Sequence, residues 1–254
     1  MPVAAHAESW SFSSGVDYTS GDYGTGQDTS IVIAPFNVTF EAERWRVGAT
    51  ATYVSVEGAP GVVPGATSAI GAGSPLSGVT NPLGGGVLGS NPALAPEISE
   101  QGLGDTTIEA AFIPYIGENG ARISISAAAR LPTGDEERSL GAGETIVSSA
   151  IGASHPISAR AGIYGAVGYA QALDSNEGGV FVSGGLEGRV SDGVLIGASA
   201  EWSEASVAGA PERTQATLYS SFALSERAQI AAYAIGGLSD AAPDFGGGLR
   251  LTLR

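Results

Sequence analysis

Residues 102–135 read GLGDTTIEAAFIPYIGENGARISISAAARLPTGD, and this stretch decides the fold. Residues 105–115 and 121–131 flank Gly117-Glu118-Asn119-Gly120, a turn whose Gly and Asn residues supply the positive φ that a tight hairpin demands. Along the second run Ile123, Ile125, Ala127, Ala129 and Leu131 share one face. Arg122, Ser124, Ser126, Ala128 and Arg130 share the other, because successive strand side chains point to opposite faces. One face suits an apolar surrounding and the other a polar one.

The same alternation recurs along the chain. Trp10, Phe12, Ser14, Val16 and Tyr18 define a first strand with an aromatic residue at each end, as interfacial girdles have. Residues 29–40 form the next strand, with Pro35 expected at a bulge or an unpaired position. In the third, Trp45, Val47, Ala49, Ala51 and Tyr53 oppose Arg46, Gly48, Thr50 and Thr52. Beyond the hairpin, strands are expected over 144–154, 160–172, 179–190, 194–203, 214–224, 228–238 and 245–254. The total is about twelve strands of ~10 residues, the length that crosses a bilayer at a tilt. Short turns at 41–44, 117–120, 155–159, 191–193 and 225–227 alternate with longer loops, as in outer-membrane barrels.

Composition agrees. Of 254 residues, 43% are hydrophobic and only 15% charged, with 39 Gly and no Cys. That is little charge to coat a soluble domain, and no apolar run reaches the ~20 residues of a transmembrane helix. A closed barrel hides its apolar residues in alternate positions and solves the backbone hydrogen-bonding problem in lipid. The expected fold is therefore an all-β, transmembrane, antiparallel up-and-down β-barrel forming a single domain over residues 8–254. An even strand count puts both ends of the chain on the periplasmic side. Ala5-His6-Ala7 has the small-x-small form of a cleavage site, so residues 1–7 read either as the end of a secretory signal or as an Ala-rich end without targeting meaning.

One tract breaks the pattern. Residues 57–101 are rich in Gly, Pro, Ser and Ala and lack sustained periodicity, far beyond the ~12–15 residues of an ordinary loop. They form either a functional extracellular loop, a plug or constriction, or a disordered segment, with 68–76 and 92–98 as candidates for a short helix or extended piece.

The segments GVDYTSGDYG (15–24), GLGDT (102–106), RLPTGD (130–135), SLGAG (139–143) and GLRLTLR (248–254) together resemble a bacterial outer-membrane transporter-like family associated with phenol-degradation meta-pathway operons. The resemblance implies an outer-membrane channel of a Gram-negative bacterium for hydrophobic or aromatic compounds, and it supplies no binding residues. Such barrels usually end in an aromatic residue, whereas this chain ends in Arg254.

Sorting large apolar side chains to lipid leaves Arg46, Glu109, Arg122, Arg130, Glu187, Arg189, Glu201 and Arg250 as the expected lumen-lining residues. They serve either as paired braces, the expected state of buried charge, or as the lining of a narrow wet pore in which Arg rings favour anionic solutes. The acids Asp22, Asp28, Asp105, Asp135, Glu136, Glu137, Asp174 and Glu177 fall near the expected outer rim, either solvated or bridged by divalent ions to lipopolysaccharide. Net charge is −15 and all 11 basic residues are Arg, which argues against nucleic acid as a partner and against Lys-dependent chemistry. The only histidines are His6 and His155, one in the leader and one expected in a short turn, so neither is placed as a catalytic base. The expectation is no enzyme, no cofactor and no metal site. Passive passage of small solutes is the first reading, with outer-membrane lipid and lipopolysaccharide around the barrel. A structural or surface-interaction barrel with a plugged lumen is the alternative, and a soluble all-β sandwich or solenoid the third.

Overall fold

Thirteen antiparallel strands form one sheet in the computed structural model, which describes residues 8–62, 97–204 and 212–254. The expected leader at 1–7, the candidate segment 68–76 and residues 92–96 lie outside the described residues. Three strands come first: β1 (Ser9–Gly21), β2 (Thr29–Glu41) and β3 (Trp45–Gly58). Then follow β4 (Ile98–Leu103), β5 (Thr106–Ile116), β6 (Arg122–Leu131), β7 (Ile146–Pro156) and β8 (Ala161–Ala172). The rest are β9 (Gly178–Ser191), β10 (Val194–Ser203), β11 (Arg213–Ser225), β12 (Ala228–Gly237) and β13 (Phe245–Leu253).

Except for β4 and β5, which both pair with β3, each strand pairs with its neighbour in sequence around the wall, and β1 pairs with β13 from Phe12↔Leu253 to Ser20↔Phe245. The sheet therefore closes, which removes the exposed edges that lipid does not tolerate. The strand absent from the sequence expectation is β4. Along β3, residues Tyr53–Gly58 pair with β4, and Trp45–Thr50 pair with β5. Between them the Gly104 N–H donates to the Thr52 carbonyl at 2.9 Å. β4 and β5 thus occupy a single wall position, broken at Gly104-Asp105, and the barrel has twelve wall positions made of thirteen strands.

The hairpin closes as its sequence dictates. Gly117 N–H donates to Ala121 O, Gly120 N–H donates to Gly117 O, and Gly120 carries the positive φ of 82°. Pro35 sits where the β1–β2 ladder skips between Ser14↔Phe36 and Asp17↔Ile33, an unpaired position rather than a bulge, since the register is the same on both sides. β7 runs two residues further than expected, so His155 is an exposed strand residue and not part of the turn.

The outward face is apolar. Ile123, Ile125, Ile151, Ile163, Val167, Leu186, Ile196, Leu218, Leu249 and Leu251 are all exposed. Aromatic residues band both ends: Trp10 against Phe40 and Trp45 against Phe112 near the short turns, Tyr18 against Phe245 near the long loops. This belt-and-girdle pattern is that of a membrane-spanning barrel.

Inward aromatics are handled differently. Tyr164, Phe181, Tyr219 and Tyr233 are each directly opposite a glycine on the next strand, respectively Gly185, Gly168, Gly197 and Gly248. A Cβ at any of these glycines would collide with the facing ring, so each ring lies along the wall instead of projecting across the lumen. Replacing Gly197 by Val should drive Tyr219 off the wall and cost ~1–3 kcal/mol, the range for overpacking. The check is a lower unfolding temperature in heat-modifiable gel mobility, with Ala234→Val on the outward face as the unaffected control.

Candidate functional site

The interior surface is the place where this architecture collects polar chemistry. Alternation carries odd residues of β1, β2, β9–β12 and of β5 as far as the bulge after Phe112, and even residues of β3, β6–β8 and β13, to the buried face. Small residues dominate it. Charged residues there are mostly held in pairs.

Four pairs span neighbouring strands or their ends. Asp17 on β1 and Arg250 on β13 meet at 3.3 Å, across the seam where the last strand returns to the first. Arg130 on β6 donates from Nε to Asp105 Oδ2 at 2.6 Å, with both side chains under a tenth exposed. Arg213 reaches Glu201 at 2.6 Å between β11 and β10. Arg46 on β3 holds Glu41 at the end of β2, and its charge also acts on Glu109 of β5. Glu187, 1% exposed, accepts from the Tyr219 hydroxyl, which in turn meets the Tyr164 hydroxyl at 2.9 Å. Of the residues expected at the lumen, Arg46, Glu109, Arg130, Glu187, Glu201 and Arg250 thus lie in this interior polar system. Arg122 is half-buried at the start of β6, and Arg189 is exposed near the end of β9, both by the short turns.

The long-loop end of the interior is apolar, against the expectation that large apolar residues face lipid. Ile31 and Ile33 of β2 pair with Val56 and Val54 of β3, and all four point inward. Tyr23 from the β1–β2 loop, Ala59 and Val62 following β3, and Leu140 from the β6–β7 loop complete a buried cluster, with Ile98 of β4 against it. The IVIA run at 31–34 carries apolar residues on both faces, the pattern of a strand covered on both sides. Here lipid covers one side and the inturned loops cover the other.

A second correction concerns Asp105, expected on a solvated rim. Its side chain is 3% exposed and faces inward. It accepts from Arg130, from the Gly134 N–H at 3.0 Å and from the Ala142 N–H at 2.8 Å. The other acids expected there remain at loop positions, and Asp22 accepts from the Gly24 N–H at 3.0 Å. Asp17, Glu41 and Arg213 complete pairs that the sequence reading left half-filled. Asp17 was accessible to the alternation rule, since Val16 and Tyr18 beside it face outward. Among the described residues no group of three or more His, Cys, Asp or Glu is placed to hold a metal ion.

Tyr23 gives the mouth a pH response. Its hydroxyl donates to Thr19 Oγ1 at 2.7 Å, and burial pushes its pKa from 10.0 up to about 12. The folded mouth then keeps a proton that an unfolded chain releases, so stability falls as pH rises from 10 toward 12 and is unaffected by this group below 10. Denaturation midpoints measured across that window should decline more steeply for the wild type than for Tyr23→Phe.

Comparison with known proteins adds the following. The family model described as "Putative MetA-pathway of phenol degradation" matches residues 20–254. An outer membrane channel from Pseudomonas putida F1 superposes with a TM-score of 0.62 at 13% identity, covering 100% of this chain and 96% of that one. The NanC porin gives 0.57 at 6% identity, over 96% and 99% of the two chains. The KdgM porin gives 0.54 at 6% identity, over 96% and 98%. No curated protein matches the chain in sequence. At these identities the structural likeness establishes the shared barrel fold.

Proposed function

We propose that this chain, which belongs to the family of the MetA-pathway of phenol degradation, is a passive channel of the Gram-negative outer membrane for small hydrophobic or aromatic solutes. The observation that carries the reading is the division of the interior. Its long-loop end is filled by Ile31, Ile33, Val54, Val56 and Leu140, an apolar surface that the inturned loops cover and that, once those loops part, favours apolar solutes at ~25 cal/mol per Å² removed from water. Its charged residues are mostly consumed in pairs, so they brace the wall more than they present a ring of one sign to ions. Arg122 and Arg189 lie at the opposite end, where they favour carboxylated solutes on that side only. The solved outer membrane channel from Pseudomonas putida F1 has the same fold, which is consistent with this role. The short-turn end then faces the periplasm, and outer-membrane lipid and lipopolysaccharide surround the wall.

A test is uptake of an uncharged monoaromatic compound and of a carboxylated analogue by porin-depleted cells with and without the protein. Expression should accelerate entry of the uncharged compound more than that of the carboxylate. Equal entry with and without the protein would contradict the reading. That result would favour the second one, a structural or surface-interaction barrel with a plugged lumen. The observation behind it is the packing of three loops into the mouth around Leu140.

A further inference from the structure

We infer that the β6–β7 loop, residues 132–145, is a strap folded into the mouth, and that the Asp105 carboxylate is the latch holding it there. The inference rests on the channel reading above and names what controls the opening of that channel; Asp105 is a positioning residue that acts through the strap.

One carboxylate clasps both ends of the strap. Asp105 Oδ1 accepts from the Gly134 N–H and Oδ2 from the Ala142 N–H, while Arg130 Nε donates to Oδ2 from the adjacent strand. Charge-assisted bonds of this kind are about twice as strong as neutral ones. Between its ends the strap doubles back. Ser139 N–H donates to Glu136 O and Leu140 N–H to Asp135 O, both at 2.9 Å. Gly134 and Gly141 pass so close that a Cβ on Gly134 would stand 2.9 Å from Gly141 Cα, and a Cβ on Gly141 would strike the Asp105 carboxylate. The fold-back delivers Leu140, 1% exposed, into the apolar cluster between β2, β3 and β4.

Two further ties lie along the rim. Thr133 Oγ1 donates to the Gly104 carbonyl at 3.1 Å. Arg138 binds Glu100 at 2.7 Å and the Gln101 carbonyl at 3.0 Å. These ties cover the edge of β4 that pairs with no other strand among the described residues, which alone would be a structural duty. Leu140 and the two backbone donors, however, turn into the lumen, where solute must pass. Releasing them widens the mouth without opening any pair of wall strands.

The experiment uses the full-length protein, refolded or purified in detergent, with Asp105→Asn and, as a second variant that leaves the Arg130 partner intact, Leu140→Ser. Arg138 is the only basic residue of the strap and the chain has no Lys, so trypsin reads strap release as cleavage after Arg138. Planar-bilayer recording reads the opening. Wild type should resist cleavage at this bond. Both variants should be cut there while the barrel keeps its heat-modifiable mobility, and their single-channel conductance should rise several-fold. Should Asp105→Asn fail to fold, Leu140→Ser decides by the same two readouts. Conductance unchanged from a conducting wild type, whether or not the bond is cut, overturns the latch and leaves the channel reading standing. Cleavage with no conductance in any form, wild type included, overturns the channel reading and the latch with it.

Discussion

Arginine in place of Ile125 destabilises the barrel by about 2–4 kcal/mol, the cost of a cationic side chain on the lipid face near the bilayer midplane. Arginine in place of the adjacent Ser126 costs far less. Ile125 is an exposed residue opposite Ile151 and Phe112 on the flanking strands, so an arginine there has only lipid-facing apolar neighbours. Ser126 shares the inward face with Ala128 and Arg130, where polar groups are solvated or paired. The two positions are one residue apart on the same strand, so the main difference between the introduced arginines is the face that carries them. Folding titrations in lipid vesicles give the comparison, and equal tolerance of both changes would mean that the barrel is inside out or absent.

Loss of Arg250 has an effect of similar size by a different route. Asp17 is 2% exposed at its side chain and meets Arg250 across the β1–β13 seam. Arg250→Leu leaves that carboxylate buried without its cation, a situation that costs roughly 3–5 kcal/mol. Most of the cost is the stranded charge and not the attraction that was lost. The double variant Asp17→Asn/Arg250→Leu should therefore recover much of the stability, in a cycle whose coupling term measures the pair. The seam makes this pair special among the four, because β1 and β13 are the two strands that must find each other last in a chain-ordered wall. The single variant should also slow barrel closure, visible as delayed appearance of the compact, heat-modifiable form.

Most of the wall was legible because period-2 alternation is a local property of each strand. The hairpin at 102–135 shows both the strength and the limit of that signal. Its β6 half, Ile123 to Leu131, sorts cleanly into two faces and pairs as expected. Its first residues, Gly104 and Asp105, read as rim turn chemistry. Their real role depends on Arg130 from the next strand and on the Gly134 and Ala142 amides from a loop, which no local pattern contains. β4 escaped for a related reason. Six residues in a Gly/Pro-rich tract carry too little periodicity to stand out, and their partner is the far end of β3.

The mouth was the least legible region. Alternation states which residues share a face but not what that face meets, and along 31–34 both faces are apolar. Only the inturned loops, with Leu140 and Tyr23, show that Ile31 and Ile33 are covered by protein. The same stretches that carried the family resemblance, 15–24, 102–106, 130–135, 139–143 and 248–254, supply Asp17, Tyr23, Asp105, Arg130, Leu140 and Arg250. The resemblance was therefore carried largely by the residues that close the seam and pack the mouth.

The central claim, that this barrel is a passage and not a solid post, is tested most directly by incorporating the purified wild-type protein into a planar lipid bilayer under an applied voltage. Discrete single-channel steps are expected, small because Leu140 and its neighbours narrow the mouth. A bilayer that accepts the folded, heat-modifiable barrel yet shows no steps, even after the strap is released by Leu140→Ser, would contradict it.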